Sequence, residues 1–317
     1  MTRLLITGAT GLLGSNLIWE AAESYEVIGW SRSCAAMPSG FAMDRVDLAN
    51  AEITVRRLHE RRPDVVVHCA AMTDVERCEG EPDNARVMNV DATRILARWC
   101  AQHGARFVFI STDSVFDGRC GHYSEDDQPA PVNEYARTKL AAEAVVAGLL
   151  PDALILRTNF YGRNFKQKLS LAEWMLKKLV RRERLPAFTD VKFNPLLANH
   201  LGRIILDLIA HGAKGVFHAA ARDEYSKYEF ALLIARIFGL DADEVMAASV
   251  DNFRFNAQRP KNTTLAVGKI SGFLSREMPS VEEGLQSFKQ SLGIDFVDYL
   301  ATLKKSDPKE LHALSAR

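Results

Sequence analysis

The sequence predicts an α/β protein, a Rossmann-like doubly wound parallel sheet with a smaller helix-rich substrate lobe. Three observations predict it. Short β-branched runs alternate with helical stretches from residue 1 to about 160, the signature of repeated strand–helix–strand units. Two of those runs, Val65-Val66-Val67 and Phe107-Val108-Phe109-Ile110, are apolar at every position, as strands covered by helices on both faces must be. A glycine-spaced turn, Thr7-Gly8-Ala9-Thr10-Gly11-Leu12-Leu13-Gly14, follows the first apolar run and opens the first helical stretch.

Taken in order, strands are expected near residues 3–7, 26–30, 64–69, 106–111 and 153–158. Helices are expected near 12–24, 50–62, 84–103 and 133–149. Beyond 160 the alternation weakens into a basic helical stretch at 168–184, a proline-containing segment at 185–195, a helix near 197–210, a short strand from Gly215 to His218, and helices near 226–238 and 281–293. The expected division is a dinucleotide-binding domain of residues 1–163 plus about 187–220, and a substrate lobe of residues 164–186 and 221–317. The polar end after about residue 304 reads as a frayed terminus.

Composition narrows the function classes. The chain has 317 residues, with 40 Lys+Arg against 40 Asp+Glu, so no global basic field draws it to nucleic acid or an anionic membrane. No run of about 18 apolar residues is present, as a membrane span would need. The apolar run Leu4-Leu5-Ile6 is too short for a secretion signal. Five cysteines, Cys34, Cys69, Cys78, Cys100 and Cys120, include no C-x-x-C pair, which fits neither a disulfide framework nor a zinc site and points to a reducing cytoplasm.

The glycine turn carries the first chemistry. Gly8, Gly11 and Gly14 let the backbone turn tightly and approach a pyrophosphate, while the amides of Thr10, Gly11, Leu12 and Leu13 lie at or beside a helix N-terminus with its positive dipole. The second strand ends Gly29-Trp30-Ser31-Arg32, with no carboxylate for a ribose 2′-hydroxyl; Ser31 and Arg32 suit a 2′-phosphate, so NADP(H) is favoured over NAD(H). Tyr135 and Lys139 lie four apart on a helical stretch and so share a face. A phenol with its ordinary pKa of about 10 exchanges protons poorly near neutrality unless a neighbouring ammonium lowers it, and Lys139 is placed to do so. Thr112, at the end of the Phe107–Ile110 strand, offers a second hydroxyl for a substrate carbonyl.

With these residues in view, the chain resembles the extended short-chain dehydrogenase/reductase superfamily and, within it, the dTDP-4-dehydrorhamnose reductase family. The resemblance extends over nearly the whole chain: the glycine turn, Val65-Val66-Val67-His68-Cys69-Ala70-Ala71, the stretch Asp74 to Pro82, Asn89-Val90, Ser111-Thr112-Asp113-Ser114-Val115-Phe116-Asp117-Gly118, Tyr135 with Lys139, and Arg259-Pro260-Lys261-Asn262. It implies that Tyr135 protonates a 4-keto oxygen as hydride arrives from NADPH, that Thr112 bonds that oxygen, and that Lys139 tunes the phenol and holds the nicotinamide ribose. It further implies cofactor contacts at Asp47, Leu48, Ala70 and Ala71, substrate contacts at Asp113 and Arg259, a nucleotide-sugar substrate, and pairing of subunits as often found in the superfamily. The chain departs from the family at Ser114, where Tyr is usual, and at Ala136, where Gly is usual. Related 4,6-dehydratases use an Asp-Glu pair after the Thr, and here Ser114 stands where that Glu would be. Two other readings share the same residues: a cofactor-binding regulatory protein resembling the regulatory subunit of methionine adenosyltransferase, and an epimerase acting on another nucleotide sugar.

The remaining features have plainer explanations. His68 reads as a packed histidine. Glu76, Glu79, Glu81 and Asp83 read as loop and helix-start carboxylates, so no metal is expected. Lys177, Lys178, Arg181, Arg182 and Arg184 read as a solvated helix face, and Trp174 and Met175 as core or pocket wall.

Overall fold

The computed structural model describes residues 1–32, 41–165, 168–293 and 299. The elements, in chain order, begin β1 (Arg3–Thr7), α1 (Leu12–Ala21), β2 (Glu26–Ser31), β3 (Ala42–Arg45), α2 (Ala51–Arg61), β4 (Val65–His68), α3 (Val75–Gly80) and α4 (Pro82–Arg86). Next come α5 (Ala92–His103), β5 (Arg106–Ile110), α6 (Glu134–Leu149), β6 (Leu154–Thr158), β7 (Phe160–Tyr161), α7 (Leu171–Val180), β8 (Leu185–Phe188), β9 (Lys192–Phe193) and β10 (Leu196–Leu197). The chain continues through α8 (Ala198–Ala210), β11 (Gly215–Ala219), β12 (Tyr225–Ser226), α9 (Lys227–Phe238), β13 (Val245–Ala248), α10 (Gly268–Leu274) and α11 (Val281–Ser291).

Seven strands form one wholly parallel sheet in the order β11-β6-β5-β4-β1-β2-β3. Because successive side chains on a strand point to opposite faces, the all-apolar runs split between two cores. Leu4, Ile6, Val65, Val67, Val108 and Ile110 pack with Leu13 and Leu17 of α1 and Ile205 of α8. Leu5, Val66, Phe107 and Phe109 pack on the other face with Leu58 of α2, Leu96 of α5 and Val146 of α6. Strand order reverses between β1 and β4, and a crevice at the carboxyl ends of the strands follows there.

The structure departs from the sequence expectation at several elements. Strand β3 was not expected; it is short, with only Asp44 buried, and so carries little apolar signal. The helix expected over 84–103 is broken into α4, a π-helical turn at Val87–Asp91 and α5. The helix expected from 168 begins at Leu171, because Ser170 and Glu173 form a capping box. The basic run is less solvated than expected: Lys177 is buried, and Lys178 and Arg181 pair with Glu183. Cys34 and the stretch after residue 304 lie outside the described residues; Cys69, Cys78, Cys100 and Cys120 are free thiols. No helix among the described residues is long and apolar enough to cross a membrane.

Two histidines are locked inside this fold. His68 bonds the hydroxyls of Thr7 (2.7 Å) and Thr93 (3.0 Å), and burial together with the Lys139 charge pushes its pKa down to about 3. Burial and the Arg157 charge push His218 down to about 4. Both are neutral when folded, whereas the unfolded chain protonates them below pH about 6.5, so stability is full above that value and falls as pH drops toward 4. Each histidine contributes a slope of about 1.4 kcal/mol per pH unit. Urea midpoints are therefore expected to decline from pH 7 through 6 to 5, less steeply in His68→Asn. A flat series would refute this assignment.

Candidate functional site

The glycine turn joins β1 to α1 at the crevice. Gly8 takes φ +67°, and a Cβ there would stand 2.8 Å from the Ala70 amide nitrogen, so the β1 and β4 ends touch backbone to backbone. At Gly14 a Cβ would lie 2.3 Å from the Gly8 carbonyl oxygen. Gly11 is the N-cap of α1 and supplies no side-chain hydrogen bond, and the first turn holds no carboxylate. The helix therefore keeps its N-terminal amides for an anion. Thr10, Leu12 and Leu13 belong to this turn; just beyond β4 the Ala70 amide donates to the Thr7 hydroxyl at 3.3 Å, and Ala71 follows it in the chain.

At the end of β2, Ser31 is buried and its hydroxyl lies 2.6 Å from that of Thr10, while Arg32 is exposed. The nearest β3 carboxylate, Asp44, is occupied: Arg61 donates to both oxygens at 2.7 and 2.5 Å, and the Trp30 indole donates at 3.1 Å. These bonds hold the Asp44 carboxyl below its ordinary pKa, with the Arg61 hydrogen bond the largest cause. Among the described residues, the end of β2 thus presents Ser31 and the exposed Arg32 with no free carboxylate beside them. Asp47 is exposed and accepts from the Ala49 amide at 3.1 Å, and Leu48 is buried in the core beside Ile53.

Tyr135 is the second residue of α6, whose N-cap Asn133 accepts from the Ala136 amide at 3.0 Å and donates to the Gln258 carbonyl at 2.9 Å. Its phenol hydrogen-bonds Thr112, and burial raises its pKa above the ordinary value, that hydrogen bond opposing and the Asp113 charge adding. Lys139 is buried; its ammonium donates to the Ile110 carbonyl at 2.7 Å and lies 4.0 Å from the Phe109 ring centroid. Burial pushes it down to about 7, with Glu143 and Cys69 opposing. Tyr135, Thr112 and Lys139 thus meet at the carboxyl end of β5. The tuning differs from expectation, because desolvation outweighs any lowering of the phenol and the ammonium is engaged by a backbone carbonyl.

Asp113, expected to contact substrate, is hydrogen-bonded within the protein. Its carboxylate accepts from Thr112 (3.1 Å), Ser114 (3.2 Å), Asn159 (2.9 Å) and Thr263 (2.6 Å), tying β5 to β6 and to the C-terminal segment. Ser114 completes that clamp. Asn159 and Thr263 carry no signal in the sequence, since single polar residues acquire a role only once three distant segments converge. Arg259 donates to Glu76 at 2.9 Å and lies 5.1 Å from the Phe255 ring, and its buried Nε has no partner. It lines a cleft of about 690 Å³ together with Phe253, Phe255 and Lys261. The size and the mix of aromatic and cationic walls suit a nucleotide. Of the acidic stretch, Glu76 holds this loop, Glu79 accepts from the Glu134 amide, and Glu81 pairs with Arg77. Among the described residues no group of three side chains is placed to bind a metal.

Comparison with known proteins follows from this geometry. Residues 1–293 match the family model of the RmlD substrate binding domain. The chain is 33% identical over 298 residues to a probable low-salt glycan biosynthesis reductase of Haloferax volcanii, covering 93% of this chain and 98% of that protein. It is equally 33% identical, over 280 residues, to methionine adenosyltransferase 2 subunit beta of Rattus norvegicus, covering 84% and 81%. Among solved structures, a dTDP-4-dehydrorhamnose reductase from Bacillus anthracis in complex with NADP aligns with TM-score 0.81 at 31% identity, covering 92% of this chain and all of that one.

Proposed function

This chain belongs to the RmlD substrate binding domain family, and on that premise we propose that it is an NADPH-dependent reductase of a 4-keto nucleotide sugar, with dTDP-4-dehydrorhamnose as the leading substrate. The observation that carries this reading is the meeting of Tyr135, Thr112 and Lys139 at the end of β5, beside the uncapped glycine turn. In this reading the α1 amides at Leu12, Leu13 and Gly14 hold the cofactor diphosphate, with Gly8, Thr10 and Gly11 shaping the turn, where the Gly11 amide donates to the Gly8 carbonyl at 2.7 Å. Ser31 and Arg32 hold the 2′-phosphate, Asp47 and Leu48 flank the adenine, and Ala70, Ala71, Tyr135 and Lys139 line the nicotinamide end. Bound NADPH supplies the hydride.

The protein's own part is the proton. Tyr135, kept neutral by burial, donates its phenolic proton to the ketone oxygen as the carbonyl carbon is reduced, giving the alcohol and a transient phenolate. Lys139 stabilises that phenolate by its charge, and Glu143 favours the charged form of Lys139. Thr112 turns its hydroxyl from Asp113 to the substrate oxygen, while Arg259 and the cleft around Phe253 and Phe255 receive the nucleotide diphosphate.

Consumption of NADPH by the purified chain with dTDP-4-dehydro-L-rhamnose tests the reading. Arg32→Ala is expected to lower the NADPH-over-NADH preference in kcat/KM by roughly 10-fold or more, the worth of a charge-assisted hydrogen bond. An unchanged ratio would remove Arg32 from the cofactor site. The likeness to methionine adenosyltransferase 2 subunit beta supports a second reading, a cofactor-binding partner protein. Tight NADPH binding without turnover of any 4-keto nucleotide sugar is the result that favours it.

A further inference from the structure

Glu76 stands on α3, yet its hydrogen bonds go to a segment 180 residues and more along the chain. One carboxylate oxygen accepts from the Asn256 amide at 2.9 Å; the other accepts from the Ala257 amide at 3.4 Å and from Arg259 Nη2 at 2.9 Å. One side chain therefore shapes the loop and fixes the guanidinium at its end. The side chains of Arg259 and Glu76 are 15% and 18% exposed, so solvent screens the pair only in part. The next turn of α3 holds the catalytic helix: Glu79 accepts from the Glu134 amide at 2.9 Å, and Asn133, the N-cap of α6, donates to the Gln258 carbonyl at 2.9 Å. The loop of Arg259 and the start of the Tyr135 helix thus rest on one short helix.

Two effects of Glu76 on an anion in the cleft oppose each other. Its charge cancels that of Arg259, so by Coulomb attraction alone its removal would strengthen anion binding. Its hydrogen bonds hold a rotamer-rich side chain in one pose, and without them the ordering falls on the binding step. A guanidinium has five donors; Glu76 takes one, and the buried Nε meets no acceptor among the described residues, so donors remain for a ligand. The repulsion from Glu76 acts across a cleft of about 690 Å³ that water enters, where it is screened, whereas the cost of ordering is not. Ordering is the larger effect.

We propose that Glu76 is a positioning residue for the substrate's diphosphate: acting through Arg259, it raises affinity for the nucleotide part of the substrate and leaves the hydride and proton steps unchanged. The hold on α6 by Glu79 and by the Asn133 cap does not run through Glu76, which is why the two ends of the reaction separate. This rests on the nucleotide-sugar reading above.

The test is calorimetric titration of the NADP-loaded protein with dTDP, beside steady-state NADPH oxidation with dTDP-4-dehydro-L-rhamnose. Glu76→Ala is expected to weaken dTDP binding and raise the sugar KM about 10-fold or more, with kcat and NADPH affinity within about threefold of the wild type. Glu76→Gln keeps an oxygen for Arg259 and is expected to recover part of the loss. In an Arg259→Met background, Glu76→Ala is expected to add less than about threefold, because the two residues act as one unit. Unchanged or tighter dTDP binding in Glu76→Ala overturns the proposal, as does a loss of about 10-fold that persists without Arg259. A parallel loss of kcat and NADPH affinity assigns Glu76 to the fold at large and overturns it too. In each of these cases the nucleotide-sugar reading stands. Failure of the wild type both to bind dTDP and to oxidise NADPH with the sugar overturns that reading, and this proposal with it.

Discussion

Tyr135→Phe is expected to lower kcat for ketone reduction by roughly 10²–10⁴-fold, the usual worth of a positioned proton donor. The ring remains and one hydroxyl is lost, so folding loses about 1 kcal/mol, the net value of the bond to Thr112. Because burial holds the phenol above its ordinary pKa, the group is a proton donor throughout the neutral range, and among the described residues no other neutral acid stands at the end of β5 to replace it: His68 is depressed to about 3 and bonded on both ring nitrogens. Steady-state NADPH oxidation, run beside a denaturation curve, separates the two effects. Retention of activity within about threefold would remove Tyr135 from the proton-transfer step.

Glu143→Ala is expected to destabilise the protein by about 3–5 kcal/mol, because it strips the partner from a buried charge. Glu143 lies one helical turn beyond Lys139 on α6, accepts from Ser111 at 2.5 Å, and receives the Arg157 guanidinium on both oxygens at 2.8 to 3.2 Å. Both side chains of the pair are 6% exposed, so solvent screens it little. Removal also withdraws the field that favours charged Lys139, and activity is expected to fall further than stability accounts for. Urea denaturation of Glu143→Ala, Arg157→Met and the double variant checks this. The double variant should lose less than the two singles together, since replacing both charges leaves none unpaired. Strict additivity would mean that the pair is not coupled.

Several elements were legible because their signal is local. The runs at Val65–Val67 and Phe107–Ile110 announce strands covered on both sides, and the structure divides their side chains between two cores. Gly8, Gly11 and Gly14 announce a turn too tight for side chains, and a Cβ at Gly14 would indeed strike the Gly8 carbonyl. The four-residue spacing of Tyr135 and Lys139 places both on one helix face whatever else the chain does. Other elements had no local signal. Strand β3 is too short and too exposed to stand out, and the π-helical turn at Val87–Asp91 exists where Asn89 reaches the backbone of Met72 and the hydroxyl of Thr138.

The sequence by itself determined the layer architecture, the place of the glycine turn, and the residue types able to hold a dinucleotide and move a proton, because periodicity and spacing act over a few residues. Only the tertiary structure decided what those groups face. It bonded Asp113 to Thr112, Ser114, Asn159 and Thr263 and set Lys139 on the Ile110 carbonyl. Hydrogen-bond partners and desolvation depend on segments that lie as far apart as residues 113 and 263, and nothing in the local chain encodes which of them will meet.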